Sequence, residues 1–420
     1  MALIKKPVKG MKDVMPKEME IRAYVQNLIR ETYEGYGFTQ IETPCVESIE
    51  NLCSKQGGEN EKLIFKIMKR GDKLRLSEAQ SEADLTDTGL RYDLTLPLSR
   101  YYACHSSELP TPFKALQMGN VWRADQPQKG RFRQFMQCDI DILGDASNLA
   151  EIELILAMST VLGKLNFKDF NIRYNDRRML KAMASYAGFA EEDYDSVFIT
   201  LDKMDKIGTE GVKECLVADG YEPAKVEKYL ALFDGLEKAA DGVEYLKETL
   251  GEFLPAECYT NLTEIADSVN SAKTTDFTLL FDPTLVRGMS YYTGTIFEVE
   301  LKEFGSSCGG GGRYDKMIGR FTGQDTPAVG FSIGFERIIT ILLDNGFTVP
   351  GSQDKVALLL DKGLAGDKLS AAMKDAESLR KEGKKVLVVR MNKNKKFQKQ
   401  QLEESGYKEF KEYYAEELKN

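Results

Sequence analysis

Histidine occurs once in the 420 residues, as His105, and tryptophan once, as Trp122. A single imidazole excludes a catalytic or metal-binding cluster of histidines. Cysteine is scarce as well: Cys45, Cys53, Cys104, Cys138, Cys215, Cys258 and Cys308 are odd in number, scattered, and never paired as C-x-x-C. Structural zinc and a disulfide framework are therefore not expected, and free thiols in a reducing compartment are. No apolar run is long enough to span a bilayer, and the start MALIKKPVKGMKDVMP lacks the apolar stretch of a secretory signal. A cytosolic protein is the expectation. Excess positive charge is also missing: 57 Lys and Arg stand against 66 Asp and Glu, a net charge of -9. Binding nucleic acid by phosphate neutralisation alone needs a broadly basic face, so any such partner must be held by local patches.

What is present has the balance of a globular protein, 42% hydrophobic and 29% charged, in a chain long enough for two or three domains. Pro16 opens a helical stretch in which Ile21, Val25, Leu28 and Ile29 share one face. Gly35 and Gly37 end it, and GFTQIETP reads as a strand stopped by Pro44. Residues 85–145 read as strand-rich, from LRYDLTLPLSRY through an Ala/Leu connection to a basic hairpin. Residues near 170–270 are amphipathic and strongly charged, a helical block between two β-rich regions and hence an inserted domain. Strand signals return at FTLLFDPTL and YYTGTIFEVELKE. PAVGFSIGFERIITILL reads as a strand running into a buried helix. After Pro350 a strand, a helix at residues 367–381, a second strand and a helix from about Asn394 predict a small α/β domain.

Three segments bear on chemistry. In VWRAD and FRQFMQCDIDIL, joined by DQPQKG, a hairpin presents Arg123, Arg131 and Arg133 with Phe135 beside them. Guanidinium forks match phosphate or carboxylate oxygens, and an aromatic face suits a nucleobase. A surface hairpin with a solvated basic tip would read the same way. In SCGGGGRYD no G-K-[ST] follows the glycines and no G-x-G-x-x-G leads into a helix, so neither the P-loop nor the dinucleotide fingerprint applies. A tight turn, or a place of close approach to backbone, is the favoured reading. Residues 380–399 carry nine basic residues against one acid, a local footprint for a polyanion in an otherwise acidic chain.

Taken together these segments resemble the class II aminoacyl-tRNA synthetases, and within them the histidyl family. GFTQIETP resembles motif 1, VWRAD to RFRQF motif 2, and AVGFSIGFERI motif 3. LVRGMSYYTGTIFE at residues 285–298 and GGGGRYDKMIG at residues 309–319 resemble segments particular to the histidyl branch. LRYDLTLP with QCDID, and NDRRML and DKMDKI in the helical block, resemble its eukaryote-type members. The similarity covers roughly residues 8–345. Two departures stand out: Ser290 occupies a position often acidic in the family, and beyond Gly406 the chain reads as a polar helical tail instead of closing strands.

The resemblance implies an α+β fold: a class II antiparallel sheet with flanking helices at residues 1–168 and 272–348, a helical insertion at 169–271, and an abridged anticodon-binding-like α/β domain at 353–420. It implies activation of L-histidine with ATP and transfer to tRNA(His), by a homodimer through motif 1. Arg123 and Arg287 would be catalytic at the α-phosphate. Arg123, Asp125, Arg131, Phe135 and Arg337 would hold ATP. Asp93, Thr95 and Gln137 would meet the α-ammonium, and Asp141, Tyr291 and Tyr292 the imidazole. Mg²⁺ would ride largely on ATP oxygens, with no dedicated protein site. Lys129, Lys393, Lys395 and Lys396 are candidate tRNA contacts. A site built from hydrogen-bonding groups needs no editing domain, so the insertion would serve the acceptor stem.

Two rivals share the resemblance. One is a silent paralogue that senses histidine as a regulatory subunit of ATP phosphoribosyltransferase; such proteins generally lack the C-terminal domain and the catalytic arginine, both of which this chain keeps. The other is a tRNA-sensing module attached to a kinase, and no kinase segment is present.

Overall fold

The computed structural model describes residues 3–53, 61–128, 130–288, 291–302, 306–350 and 355–415. Lys129 and Ser290 lie outside them. The chain folds as two compact units, Met1–Asp13 with Val25–Ile341, and Val14–Tyr24 with Leu342–Asn420.

In chain order the strands are β1 (Thr39–Ile41), β2 (Val46–Ser48), β3 (Lys66–Met68), β4 (Thr86–Leu90), β5 (Phe113–Trp122), β6 (Gln134–Leu143) and β7 (Phe170–Asp176). After them come β8 (Phe277–Phe281), β9 (Thr295–Leu301), β10 (Ser306–Arg313), β11 (Ala328–Ile333), β12 (Lys355–Leu360), β13 (Lys385–Arg390) and β14 (Glu409–Tyr413). Eight of them form one sheet in the order β1-β5-β6-β11-β10-β9-β7-β8. Its middle is antiparallel, and a parallel pair, β1 with β5 and β7 with β8, closes each edge. The helix Leu149–Lys164 buries Leu154, Ile155, Met158, Val161 and Leu162. This is the α+β arrangement expected, with the helical block inserted between β7 and β8.

That block runs from Arg177 to Ala272 in six α-helices of eight residues or more, and it starts after β7, since residues 170–176 pair with β8 and β9. Its boundaries are written in the sequence. Asp176 caps the helix Arg177–Ala187, its carboxylate accepting from the Arg178 N–H at 2.8 Å, and Gly188 ends it at φ 93°. Pro223 opens the next long helix but one at its first position.

Five expectations need correction. LTLPLSRY is a helix, Thr95–His105, and not strand; Pro97 falls in its first turn, where a missing N–H costs nothing. The Ala/Leu connection is itself part of β5. Arg123, Arg131 and Arg133 lie in the loop between β5 and β6: Arg123 N–H still donates across to the Arg133 carbonyl at 2.9 Å, but Ala124 N–H turns away to the Leu63 carbonyl at 2.8 Å and Arg133 N–H to Gly10 at 2.8 Å, which ends the regular ladder. The four glycines are not a turn but the body of β10. A Cβ at Gly310 would overlap the Arg287 guanidinium, and one at Gly311 the Gly330 carbonyl, so only glycine admits these neighbours.

The C-terminal tail is the fifth. Residues 409–413 are a strand, parallel to β12 on the side opposite β13. A short edge strand rich in charge carries a helix-like composition. Here Tyr413 packs on the core of Val356, Leu358 and Leu360, while Lys411 reaches Asp375 at 3.1 Å.

One ion pair locks the sheet to its covering helix. Arg313 at the end of β10 holds Glu151 bidentately at 2.7 and 2.6 Å, both side chains buried. Removing one partner of a buried pair strands the other charge. Glu151→Ala is therefore expected to destabilise the larger unit by about 3–5 kcal/mol, read as a lower denaturant midpoint, with Glu151→Gln intermediate.

Candidate active site

A cleft of about 550 Å³ opens over the middle of the large sheet. Strand β6 supplies its spine. Phe135, Gln137, Asp139 and Asp141 alternate along it with Met136, Cys138 and Ile140, so the four share one face, spread over about 20 Å. The neighbouring strand β11 makes room: Gly330 lies opposite Asp141, and a Cβ there would overlap the carboxylate.

The acidic part of the lining holds Asp93, Asp139 and Asp141. Asp141 accepts from the Tyr314 hydroxyl at 2.6 Å, and burial pushes its carboxyl up to about 7 against that hydrogen bond. Burial, reinforced by Asp141, raises Asp139 well above the ordinary carboxylate range. Asp93 also titrates high through loss of water, although it accepts from the Leu96 N–H at 3.0 Å and so caps the helix that begins at Thr95. Gln137 donates to Ser332 Oγ at 3.0 Å and to Asp139 at 3.3 Å. Among the described residues three acceptors of the cleft have no hydrogen-bond partner: Gln137 Oε1, Asp139 Oδ1 and Asp141 Oδ2. Buried acceptors in that condition fit a ligand rich in N–H groups.

The cationic part holds Arg123, Arg131, Arg287 and Arg337. Arg123 lies over the Tyr92 ring at 4.2 Å and the Phe135 ring at 5.2 Å, and its Nε donates to the Tyr92 carbonyl at 3.1 Å. Arg287 is held through Nη1, which donates to Glu298 at 2.7 Å and to the Gly309 carbonyl at 3.3 Å. Burial depresses the Arg337 guanidinium, and Arg131 and Arg287 push it the same way. Cations that disfavour one another at close quarters suit a polyanionic ligand. Tyr291 and Tyr292 lie with ring centroids 4.3 Å apart, and burial raises both phenols.

The cleft thus brings together Asp93, Thr95, Arg123, Asp125, Arg131, Phe135, Gln137, Asp141, Arg287, Tyr291, Tyr292 and Arg337, every cleft residue expected from the sequence. It omits Arg133, which braces the loop by donating to the Asp125 carbonyl at 3.1 Å. His105 is a surface residue 3.7 Å from Glu108. Sequence reasoning missed Asp139, Tyr314, Ser332 and Glu298. Strand alternation between Gln137 and Asp141 carried the signal for Asp139. Tyr314, Ser332 and Glu298 lie inside motifs already quoted, in RYD, FSI and IFE, but nothing in those motifs says that they meet Asp141, Gln137 and Arg287. Of the candidate RNA contacts, Lys393 and Lys396 are exposed, whereas Lys395 is tied to Glu412 at 2.7 Å.

The histidyl-tRNA synthetase family model matches residues 10–338. The chain belongs to that family. It is 43% identical over 422 residues to the histidine–tRNA ligase of Leifsonia xyli subsp. xyli (strain CTCB07), covering 96% of this chain and 94% of that protein. The crystal structure of histidyl-tRNA synthetase from Nostoc sp. PCC 7120 matches with a TM-score of 0.78 at 28% identity, over 96% of this chain and 90% of that one. A Bacillus halodurans C structure described as an ATP phosphoribosyltransferase regulatory subunit/histidyl-tRNA synthetase matches with the same TM-score, 0.78, at 19% identity over 99% of this chain and 100% of that one. That likeness is one of fold, so fold alone does not separate ligase from regulatory subunit. The sequence likeness does favour the ligase, at 43% identity over 96% of the chain.

Proposed function

We propose that this chain is a histidine–tRNA ligase in which the cleft activates L-histidine with ATP and passes it to tRNA(His). The observation that carries the reading is the division of one cleft into unpartnered buried acceptors beside Asp93 and a cluster of four arginines. An amino acid with an ammonium and an imidazole suits the first, and a triphosphate the second.

The reaction joins two anions. A histidine carboxylate oxygen attacks the α-phosphorus, forming a P–O bond as the bond to the β-phosphate oxygen breaks and pyrophosphate leaves. The terminal tRNA hydroxyl then attacks the adenylate carbonyl, and AMP leaves. Fixed cations offset the repulsion and the charge that spreads over the phosphoryl oxygens. We assign Arg123 to the bridge between carboxylate and α-phosphate, and Arg287 to a second contact on that phosphate, held ready by Glu298. Arg131 meets the outer phosphates, Asp125 helps place ATP, and the adenine lies between Phe135 and Arg337. Asp93, Thr95 and Gln137 take the ammonium, while Asp141, Tyr291 and Tyr292 read the ring.

Among the described residues no group of three or more His, Cys, Asp or Glu could hold a metal alone. The lining carboxylates Asp125 and Glu336 are hard oxygen donors that fit Mg²⁺ shared with ATP oxygens. Bound there, the ion would neutralise phosphate charge. Among the described residues no helix is long and apolar enough to cross a membrane; a cytoplasmic homodimer accords with the family. The helical block, here taken from Arg177 to Ala272, is assigned to the acceptor stem and the C-terminal unit to the anticodon arm.

Histidine-dependent exchange of pyrophosphate into ATP, followed by charging of tRNA(His), tests the reading. A chain that binds histidine but catalyses no exchange would favour the regulatory paralogue. For the C-terminal unit, Lys393→Ala/Lys396→Ala is expected to weaken tRNA binding and lower its salt slope by roughly 1–2, with exchange unchanged.

A further inference from the structure

A second cavity, of about 240 Å³, shares Tyr291 and Tyr292 with the cleft but has a different character. Four cations, Arg177, Lys181, Lys316 and Arg320, line it, and none of the eight described residues that line it is a carboxylate. The cations come as two pairs. Arg177 and Lys181 sit four residues apart on the helix Arg177–Ala187, Lys316 and Arg320 four apart on Lys316–Thr322. Like charges at that spacing share a helix face and destabilise an isolated helix. Two helices that each accept this arrangement, toward one cavity, in a chain of net charge -9, present a built concentration of positive charge. Arg177 is buried, with its guanidinium 5.3 Å from the Phe198 ring centroid and 3.6 Å from Asp195, which is itself mostly exposed. Lys181, Lys316 and Arg320 are exposed around it.

We infer that this cavity receives a phosphate group. Its volume is below the ~300 Å³ of ordinary small-molecule sites, which suits one compact anion and not a whole nucleotide. A guanidinium with flexible ammonium groups is the usual equipment for phosphate oxygens. Resting on the ligase reading, two sources can supply it: the sugar–phosphate backbone of tRNA, or free inorganic phosphate.

The test uses Lys181→Ala/Arg320→Ala, both at exposed positions outside the cleft, with Lys181→Arg/Arg320→Lys as the charge-conserving control. The KM for a tRNA(His) transcript, its binding as a function of salt, calorimetric titration with inorganic phosphate, and histidine-dependent exchange are measured together. For the backbone source, the alanine variant raises the tRNA KM about tenfold and lowers the salt slope by roughly 1–2, the control restores both, and exchange is unchanged. For the free anion, phosphate binds the wild type and not the alanine variant, while tRNA parameters stay put. An alanine variant that handles both the transcript and phosphate as the wild type does overturns the inference. Absence of exchange in the wild type would instead sink the ligase reading, leaving the phosphate titration to decide this site.

Discussion

Arg287→Ala is expected to slow histidine-dependent pyrophosphate exchange by about a hundredfold or more, with circular dichroism and elution volume unchanged. One preorganised charge contact in a water-poor site is worth on the order of 3 kcal/mol in the transition state. The competing explanation is structural, since Nη1 of Arg287 is 2.7 Å from Glu298. Its loss would leave a carboxylate beside the phosphate site and slow the reaction by repulsion alone. The double variant Arg287→Ala/Glu298→Ala separates the two. If Arg287 acts on the α-phosphate, the double variant stays nearly as slow as the single one. Recovery to near wild-type exchange would mean that Arg287 only neutralises Glu298.

Asp141→Asn is expected to do two opposite things. Without substrate it stabilises the protein; with substrate it lowers kcat/KM for histidine by roughly a hundredfold, the cost of about 3 kcal/mol for losing a charged hydrogen-bond acceptor. The stabilisation follows from burial, which raises the Asp141 carboxyl from 3.8 to about 7. The folded protein then holds a proton that the unfolded chain releases, so ionising this group in place opposes folding. That penalty is full above about pH 7, shrinks as pH falls, and is gone below about pH 4, with a size on the order of 4 kcal/mol. Asparagine cannot ionise, so the variant should melt higher than the wild type at about pH 8 and together with it near pH 4. A gap that widens toward low pH would contradict the assignment. On the proposed role, the carboxyl serves the ligand at a cost to the empty protein.

Much of the site was legible because its residues sit on short motifs. The hairpin arginines, the Arg-Gly pair at 287–288 and the Tyr-Tyr pair each lie within a few residues of one another, and likeness to a family assigns them together. Strands and helices read from periodicity held where one face is buried, as in the helix that begins at Pro16, where Val25, Ile29 and Tyr33 turn inward. Periodicity failed where local composition and tertiary role diverge. LTLPLSRY has the Thr, Leu and Tyr of a strand, yet Asp93 caps it as a helix. EFKEY has the Glu and Lys of a helix, yet a free edge beside β12 draws it into the sheet.

The sequence by itself determined the class of protein: one histidine, scattered cysteines and no long apolar run left a globular enzyme to be read from motifs, and the motifs named the family. Only the tertiary structure decided what surrounds each group. It set Gly330 opposite Asp141, Tyr314 on that carboxylate, Glu298 on Arg287, and a second cationic cavity behind the same two tyrosines. The reason is physical. A residue's type fixes which bonds it can make, whereas burial and the neighbours brought from far along the chain fix which bonds it does make, and with them its charge.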